Sequence, residues 1–327
     1  MGLRRIYAAF RRRSIYRRAL ASPARVVVLR YHSVGAPGEV ARYLDPGLSV
    51  TPERFREQVR FLASRFVVGG PDELPALIDR GPAAPLAAIL TFDDGYRDNH
   101  DVALPILREE GVPAAFFITT GPLASRRGLW ISELWQLAAS LPAGPLNLPE
   151  NAPRIVPAGP GERRRWRRAM TVWLSAATSG AREAALDVLA ARAGVARGEG
   201  LAGTFLDPGQ VRAMHHAGMT IGAHTRTHPH LDRLEPSQHA EEVAGAREDL
   251  EALLGAPVRH FAYPNPGGGG PVGAVARASV ERAGFSAAFT SIPDPMRLAP
   301  DALRLPRLGV YAGDQERVLF DVLGAAR

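Results

Sequence analysis

Seven short apolar runs, rich in β-branched and aromatic residues and separated by helical patterns, constrain this chain more than any other feature. The runs are Val26 to His32, Ala87 to Phe92, Ala114 to Thr119, Met219 to Ala223, Arg259 to Tyr263, Ser286 to Thr290 and Leu305 to Val310. Such alternation is the signature of repeated βα units, and it predicts a largely parallel sheet. Helix starts fall between the runs: Thr51 and Pro52 open one whose Phe55, Val59 and Leu62 share a face, and Asp207 and Pro208 open another that stops at Gly218. A longer helix is expected after Pro236, ending at Gly255. The length of 327 residues fits one large α/β unit.

Between about residues 121 and 205 the alternation breaks. A Pro- and Gly-rich stretch gives way there to two helical patterns. With no strand pattern and few apolar residues for a core of its own, this insertion is expected to be a lid or side wall on the main domain.

The chain has no cysteine, which excludes disulfides, thiolate metal sites and a cysteine nucleophile. Any metal site must use His, Asp or Glu. The formal charge of +7 is concentrated in the first 25 residues, which carry eight arginines and no acid, so the body is about neutral. That distribution argues against a nucleic-acid binder. A second basic knot, Arg163 to Arg168 around Trp166, reads as a solvated helix face.

Arginines interrupt the N-terminus too often for a secretory core or a membrane span, so a cytoplasmic location is expected. Leu3, Ile6, Tyr7 and Phe10 fall at helical spacing among these arginines. Residues 1–20 could therefore lie on an anionic membrane surface, at the inner face of the membrane, with a solvated arm as the plain alternative. The division expected is a basic arm over 1–25 and a catalytic barrel over 26–327.

Two carboxylates, Asp93 and Asp94, close the run LAAILTF ahead of Gly95. Neighbouring side chains at a strand end diverge, so one can bind a metal while the other reaches water on it, although Asp-Asp-Gly alone is commonly a turn. The second element, GAHTRTHPHL, follows an apolar run and places His224 and His228 at i, i+4. That spacing on a helical turn or compact loop brings two imidazoles to one ion, and His with carboxylate suits a divalent metal such as zinc.

TFDDG followed much later by HTRTH resembles the first two motifs of the polysaccharide deacetylases, the fourth carbohydrate esterase family, over roughly residues 26–310. The resemblance implies a distorted (β/α)7 barrel, an α/β fold in a single domain with a helical insertion. It also implies Asp93 as general base and Asp94, His224 and His228 as ligands of a divalent ion, zinc first, with Co²⁺, Ni²⁺, Fe²⁺ or Mn²⁺ as alternatives. The implied partner is an acetylated carbohydrate, polymeric, oligomeric or lipid-linked.

In the third family motif, here FAYPNPGG, Ala262 stands where an arginine usually steadies the base, and Arg307 is the candidate replacement from another strand, with a surface arginine as the plain alternative. The backbone N–H of Asn265 is the candidate oxyanion donor. No His follows His260, so the usual C-terminal acid is missing; YHSV, with His32, is similar to the opening of the poly-N-acetylglucosamine deacetylases, whose motif order looks permuted. His32 is accordingly the expected acid, kept charged by nearby carboxylates. Tyr263 and Trp130 are candidate substrate contacts, Trp130 by stacking on a sugar or else by core packing, and His230 is a candidate neighbour of the ligands. Rival readings are hydrolysis of another C–N bond, in a small amide or heterocycle, and a non-catalytic glycan-binding relative.

Overall fold

The computed structural model describes residues 12–125, 128–265 and 272–325. Seven parallel strands occupy the expected runs: β1 Val26–Tyr31, β2 Ala87–Phe92, β3 Ala114–Ile118, β4 Thr220–Ala223, β5 His260–Ala262, β6 Ala287–Phe289 and β7 Leu308–Gly309. Each of the first six pairs with its neighbour in sequence, and β7 pairs with β1 through Leu29 opposite Leu308. Leu305, just ahead of β7, bridges to Phe289 of β6, so this last segment spans the gap between the first and sixth strands and closes the ring. The expected α/β barrel of seven strands is present. A further two-residue strand, Val67–Val68, pairs with the start of β2 and is too short to leave an alternation in the sequence.

The strands alternate between two apolar layers, as a period of two requires. Val27, Leu29, Leu90, Phe116 and Phe261 pack outward against helix residues such as Phe55, Val59 and Leu62. Val26, Val28, Ala87, Ile89, Phe117, Phe289 and Leu305 fill the barrel interior. Continued toward the C-terminal strand ends, the interior parity runs Arg30 and His32 on β1, Thr91 and Asp93 on β2, and Arg307 before β7. The barrel therefore changes along its axis from an apolar plug to a polar cluster.

The helices begin where the caps are. Thr51 accepts from the N–H of Arg54 ahead of Pro52–Arg65, and Asp207 forms a reciprocal cap with Gln210 ahead of Pro208–His216. The segment after Pro236 ends at Gly255 in the left-handed conformation, as expected.

The insertion departs from expectation. It contains a two-stranded antiparallel ribbon, Gly144–Pro145 with Ile155–Val156, and helices Trp130–Ser140, Pro160–Ala176 and Ser179–Ala193. Trp130, Leu134, Trp166, Met170, Leu174 and Leu186 form an apolar cluster separate from the barrel core. Each helix contributes only one stripe, so no single window looks core-forming, yet the stripes combine.

Residues 12–20 are helical, and Tyr16, Ala19 and Leu20 are buried in the apolar layer between the strands and the helices while Arg13, Arg17 and Arg18 face solvent. This part of the expected arm is thus packed, and deleting residues 1–20 would remove core side chains. Leu3, Ile6, Tyr7 and Phe10 lie outside the described residues. Among the described residues no helix is long and apolar enough to cross a membrane.

Candidate active site

Asp93 continues the interior parity of β2 and is buried. Arg307 grips it with two bonds, Nη1 to Oδ1 and Nη2 to Oδ2, both 2.7 Å. The guanidinium is itself anchored by Nε to the Thr290 carbonyl at 2.9 Å and by Nη1 to Thr91 Oγ1 at 3.1 Å. At 1 % exposure, Arg307 is a buried charge with its partner supplied, which accounts for an arginine at an interior barrel position. Burial alone would raise the Asp93 pKa, but the charge of Arg307, then that of His224, carries it below the usual carboxylate range. Asp93 is held ionised by a guanidinium that comes from just ahead of β7, while position 262 carries an alanine.

Asp94 leaves the strand with φ +78°, followed by Gly95 at +84°, which turns its side chain away from that of Asp93. Its Oδ1 lies 3.4 Å from His224 Nε2 and 3.2 Å from His228 Nε2. One ligand atom from each of the three buried residues falls within 4.8 Å of the others. Burial would raise the Asp94 pKa, but the two histidines hold it well below the normal range.

His224 and His228 sit on a compact loop rather than a helix. Thr225 (φ +65°) and His228 (φ +59°) adopt left-handed backbone, which costs a non-glycine residue about 1–3 kcal/mol. The surroundings enforce it. Thr225 Oγ1 accepts from the His228 N–H at 3.0 Å and donates to the His224 carbonyl at 2.5 Å. Trp130 Nε1 donates to the His228 carbonyl at 3.0 Å. The buried Glu242 carboxylate accepts the N–H groups of Arg226 and Thr227, at 3.0 and 2.9 Å, and the Thr227 hydroxyl at 2.5 Å. One turn-pair further along, Asp249 binds Arg226 and Thr120.

Three observations test whether a divalent ion fits. His224 Nδ1 lies 2.6 Å from the Ala262 carbonyl, which can only accept, so in the neutral ring Nε2 is the lone-pair nitrogen facing Asp94. Asp94 Oδ1 is buried with no hydrogen-bond donor among the described residues. Two imidazoles and a carboxylate are a donor set for zinc and its neighbours. The residues fit.

Other expected residues fall differently. His32 is buried at the end of β1 with Nδ1 unpartnered, and Asn99 donates to its carbonyl at 2.8 Å. Burial, aided by Arg30 and Arg307 against Asp94 and Asp93, lowers its pKa to about 4. The expectation that carboxylates keep it charged is overturned, because desolvation outweighs their field.

Trp130 is not an open sugar platform: it is 5 % exposed, its N–H is committed to His228, and Arg182 covers the ring at 5.1 Å. Tyr263 is 4 % exposed and gives its hydroxyl to the Leu303 carbonyl at 3.0 Å, so that group braces the fold. Asn265 is half-buried with Oδ1 unpartnered, and it lines a small cavity with His230, Asp232 and Ser291.

Sequence reasoning missed Glu242, Thr91, Thr290 and a half-buried acid, Asp98, which accepts from Ser33 Oγ at 2.5 Å and Tyr43 at 3.4 Å. One signal was available. Glu242 and Asp249, seven apart, fall on one helix face, and that face meets the HTRTH loop.

The fold is shared with solved structures. Over 92 % of this chain it resembles the Streptococcus pyogenes deacetylase PplD, solved in complex with acetate, with 98 % of that chain covered, 19 % identity and a TM-score of 0.59. Over 91 % it resembles IcaB from Ammonifex degensii, with 96 % of that chain covered, 20 % identity and a TM-score of 0.55. YxkH of Bacillus subtilis (strain 168) is 25 % identical over 119 residues, which is 36 % of this chain and 39 % of that protein's length. Residues 80–288, a stretch that holds Asp93, Asp94, His224 and His228 but neither His32 nor Arg307, match the polysaccharide deacetylase family model, and the chain belongs to that family.

Proposed function

We propose that this chain is a divalent-metal hydrolase that removes an acetyl group from an N-acetylated, or O-acetylated, sugar of a polysaccharide, oligosaccharide or lipid-linked glycan. The observation that carries this reading is the meeting, in one buried cluster, of an arginine-held carboxylate and an Asp94–His224–His228 donor set. Asp94, His224 and His228 would hold the ion. When bound, it supplies Lewis acidity that makes a neighbouring water easier to deprotonate and the acyl carbonyl easier to attack.

Asp93 is the proton acceptor. Arg307 occupies both its oxygens, yet each keeps a lone pair for the attacking water. A carboxylate held below its usual pKa is a weak base, so it suits a site where the water is already acidified. The developing oxyanion is met by the backbone N–H of Asn265. Because burial leaves His32 neutral at rest, the proton needed by the departing nitrogen or oxygen is the one Asp93 collects, with His32 relaying it. Water thus supplies hydroxyl to the acetyl carbon and its proton to the leaving group, giving acetate and the free amine or alcohol.

One rival loses ground on a particular residue, and the other is separated by substrate alone. A non-catalytic glycan binder has no use for a buried, doubly gripped Asp93. Hydrolysis of another C–N bond would use the same residues, and substrate decides between them. The test is acetate release from N-acetylglucosamine oligomers and O-acetylated sugars by zinc-loaded protein. Release by the parent, lost in Asp93→Asn, supports the proposal; loaded parent that frees no acetate from either class, but opens cyclic amides, would move the assignment to the rival.

A further inference from the structure

We infer that Trp130 is a positioning residue for the metal centre, through which the insertion sets how firmly His228 is held; this rests on the metal reading above. His228 precedes Pro229, and a residue before proline is pushed toward extended backbone. His228 instead sits at φ +59°. Its conformation is therefore imposed from outside, and two side chains impose it: Thr225 Oγ1 holds its N–H and Trp130 Nε1 holds its C=O, each at 3.0 Å.

Thr225 belongs to the same loop and moves with it. Trp130 does not. It begins the helix Trp130–Ser140 of the insertion and packs in the insertion's own apolar cluster with Leu134, Leu137 and Leu186. The buried Arg182, from the helix Ser179–Ala193, lies over the indole at 5.1 Å, with its Nη2 tied to Ser179. A ladder of contacts thus runs from Arg182 to Trp130 to the His228 carbonyl. An indole suits this place because its N–H can only donate and its ring is wide enough to be clamped from behind. The insertion is accordingly part of the metal site's scaffold, although none of its residues is a ligand.

The discriminating variant is Trp130→Phe, which keeps an aromatic ring under Arg182 and removes the donor together with part of the ring system. Zinc affinity of parent and variant is measured by competition with a chromophoric chelator, alongside the melting temperature of both metal-free proteins. We expect about tenfold weaker zinc binding, as for other residues that orient ligands, with metal-free melting lowered by a few degrees, as loss of one buried hydrogen bond and some packing requires. In the metal-free proteins, backbone amide exchange at Thr225, Thr227 and His228 should quicken about fivefold.

Equal zinc affinity in parent and variant overturns the inference while leaving the metal reading intact. A parent that binds no ion overturns the metal reading, and with it the role proposed for Trp130; amide exchange then shows whether the clamp itself exists. Should Trp130→Phe fail to fold, Arg182→Met, which frees the indole without removing its N–H, should weaken zinc binding two- to threefold; unchanged affinity there counts against the ladder.

Discussion

Arg307 and Asp93 form a doubly hydrogen-bonded ion pair inside the barrel, the arginine from the last strand segment and the aspartate from the end of β2. The pair joins two elements that are 214 residues apart in sequence and reaches past β1, the strand that lies between β7 and β2. It therefore does two things: it fixes the Asp93 side chain, and it helps lock the barrel.

Removing one member of a buried pair leaves the other charge without a partner. Arg307→Met should cost about 3–5 kcal/mol of stability and most of the turnover. The double variant Arg307→Met with Asp93→Asn should regain much of the stability and none of the activity. Urea unfolding of the set, with acetate release, is the check; full activity in Arg307→Met would show that the base has another tether.

Asp98 gives a pH signature of opposite sign to the usual acid. Burial, opposed by hydrogen bonds from Ser33, the Val34 backbone, Asn99 and Tyr43, raises its pKa to about 6. Between the unfolded value near 3.8 and that figure the folded state holds the extra proton. Stability from this group is thus fully present below about pH 4 and is lost as pH rises to about 6, by roughly 3 kcal/mol. Asp98→Asn should remove that fall and be the more stable protein at pH 7.5. Unfolding midpoints at pH 4.5 and 7.5 that change equally in parent and variant would contradict it.

Tyr263 separates support from recognition. Tyr263→Phe strands the Leu303 carbonyl and should cost about 1–2 kcal/mol, with KM unchanged. A raised KM at unaltered stability would restore the tyrosine as a substrate contact.

Glu242 holds the ligand loop by two backbone N–H groups and a hydroxyl. Glu242→Ala should weaken metal binding tenfold or more, and Glu242→Gln, which keeps an acceptor oxygen, should recover part of it. Calorimetric metal titration reads both; equal affinity in all three proteins would make Glu242 a bystander.

The barrel was legible in the sequence because its strands are buried on both faces and so read as continuous apolar runs between capped helices. The DDG and HTRTH elements were legible because their candidate ligands fall within a few residues of each other. Arg307 could be nominated from the gap at Ala262, but its bidentate grip depends on ring closure between β6 and β1, which no local pattern encodes. For Trp130 and Tyr263 the sequence leaves two roles open, because an aromatic near a strand end has the same signature whether it faces a ligand or braces the loop behind it. His32 was misjudged in charge because the balance between burial and nearby acids is a property of depth.

Metal content per chain, compared between the parent and His228→Ala after equilibration with zinc and dialysis, tests the central claim most directly. One ion per parent chain and a marked loss in the variant are expected from a three-residue donor set. A parent that retains no ion, even from zinc, cobalt or nickel, would contradict the assignment of Asp94, His224 and His228 and leave the cluster without its proposed chemistry.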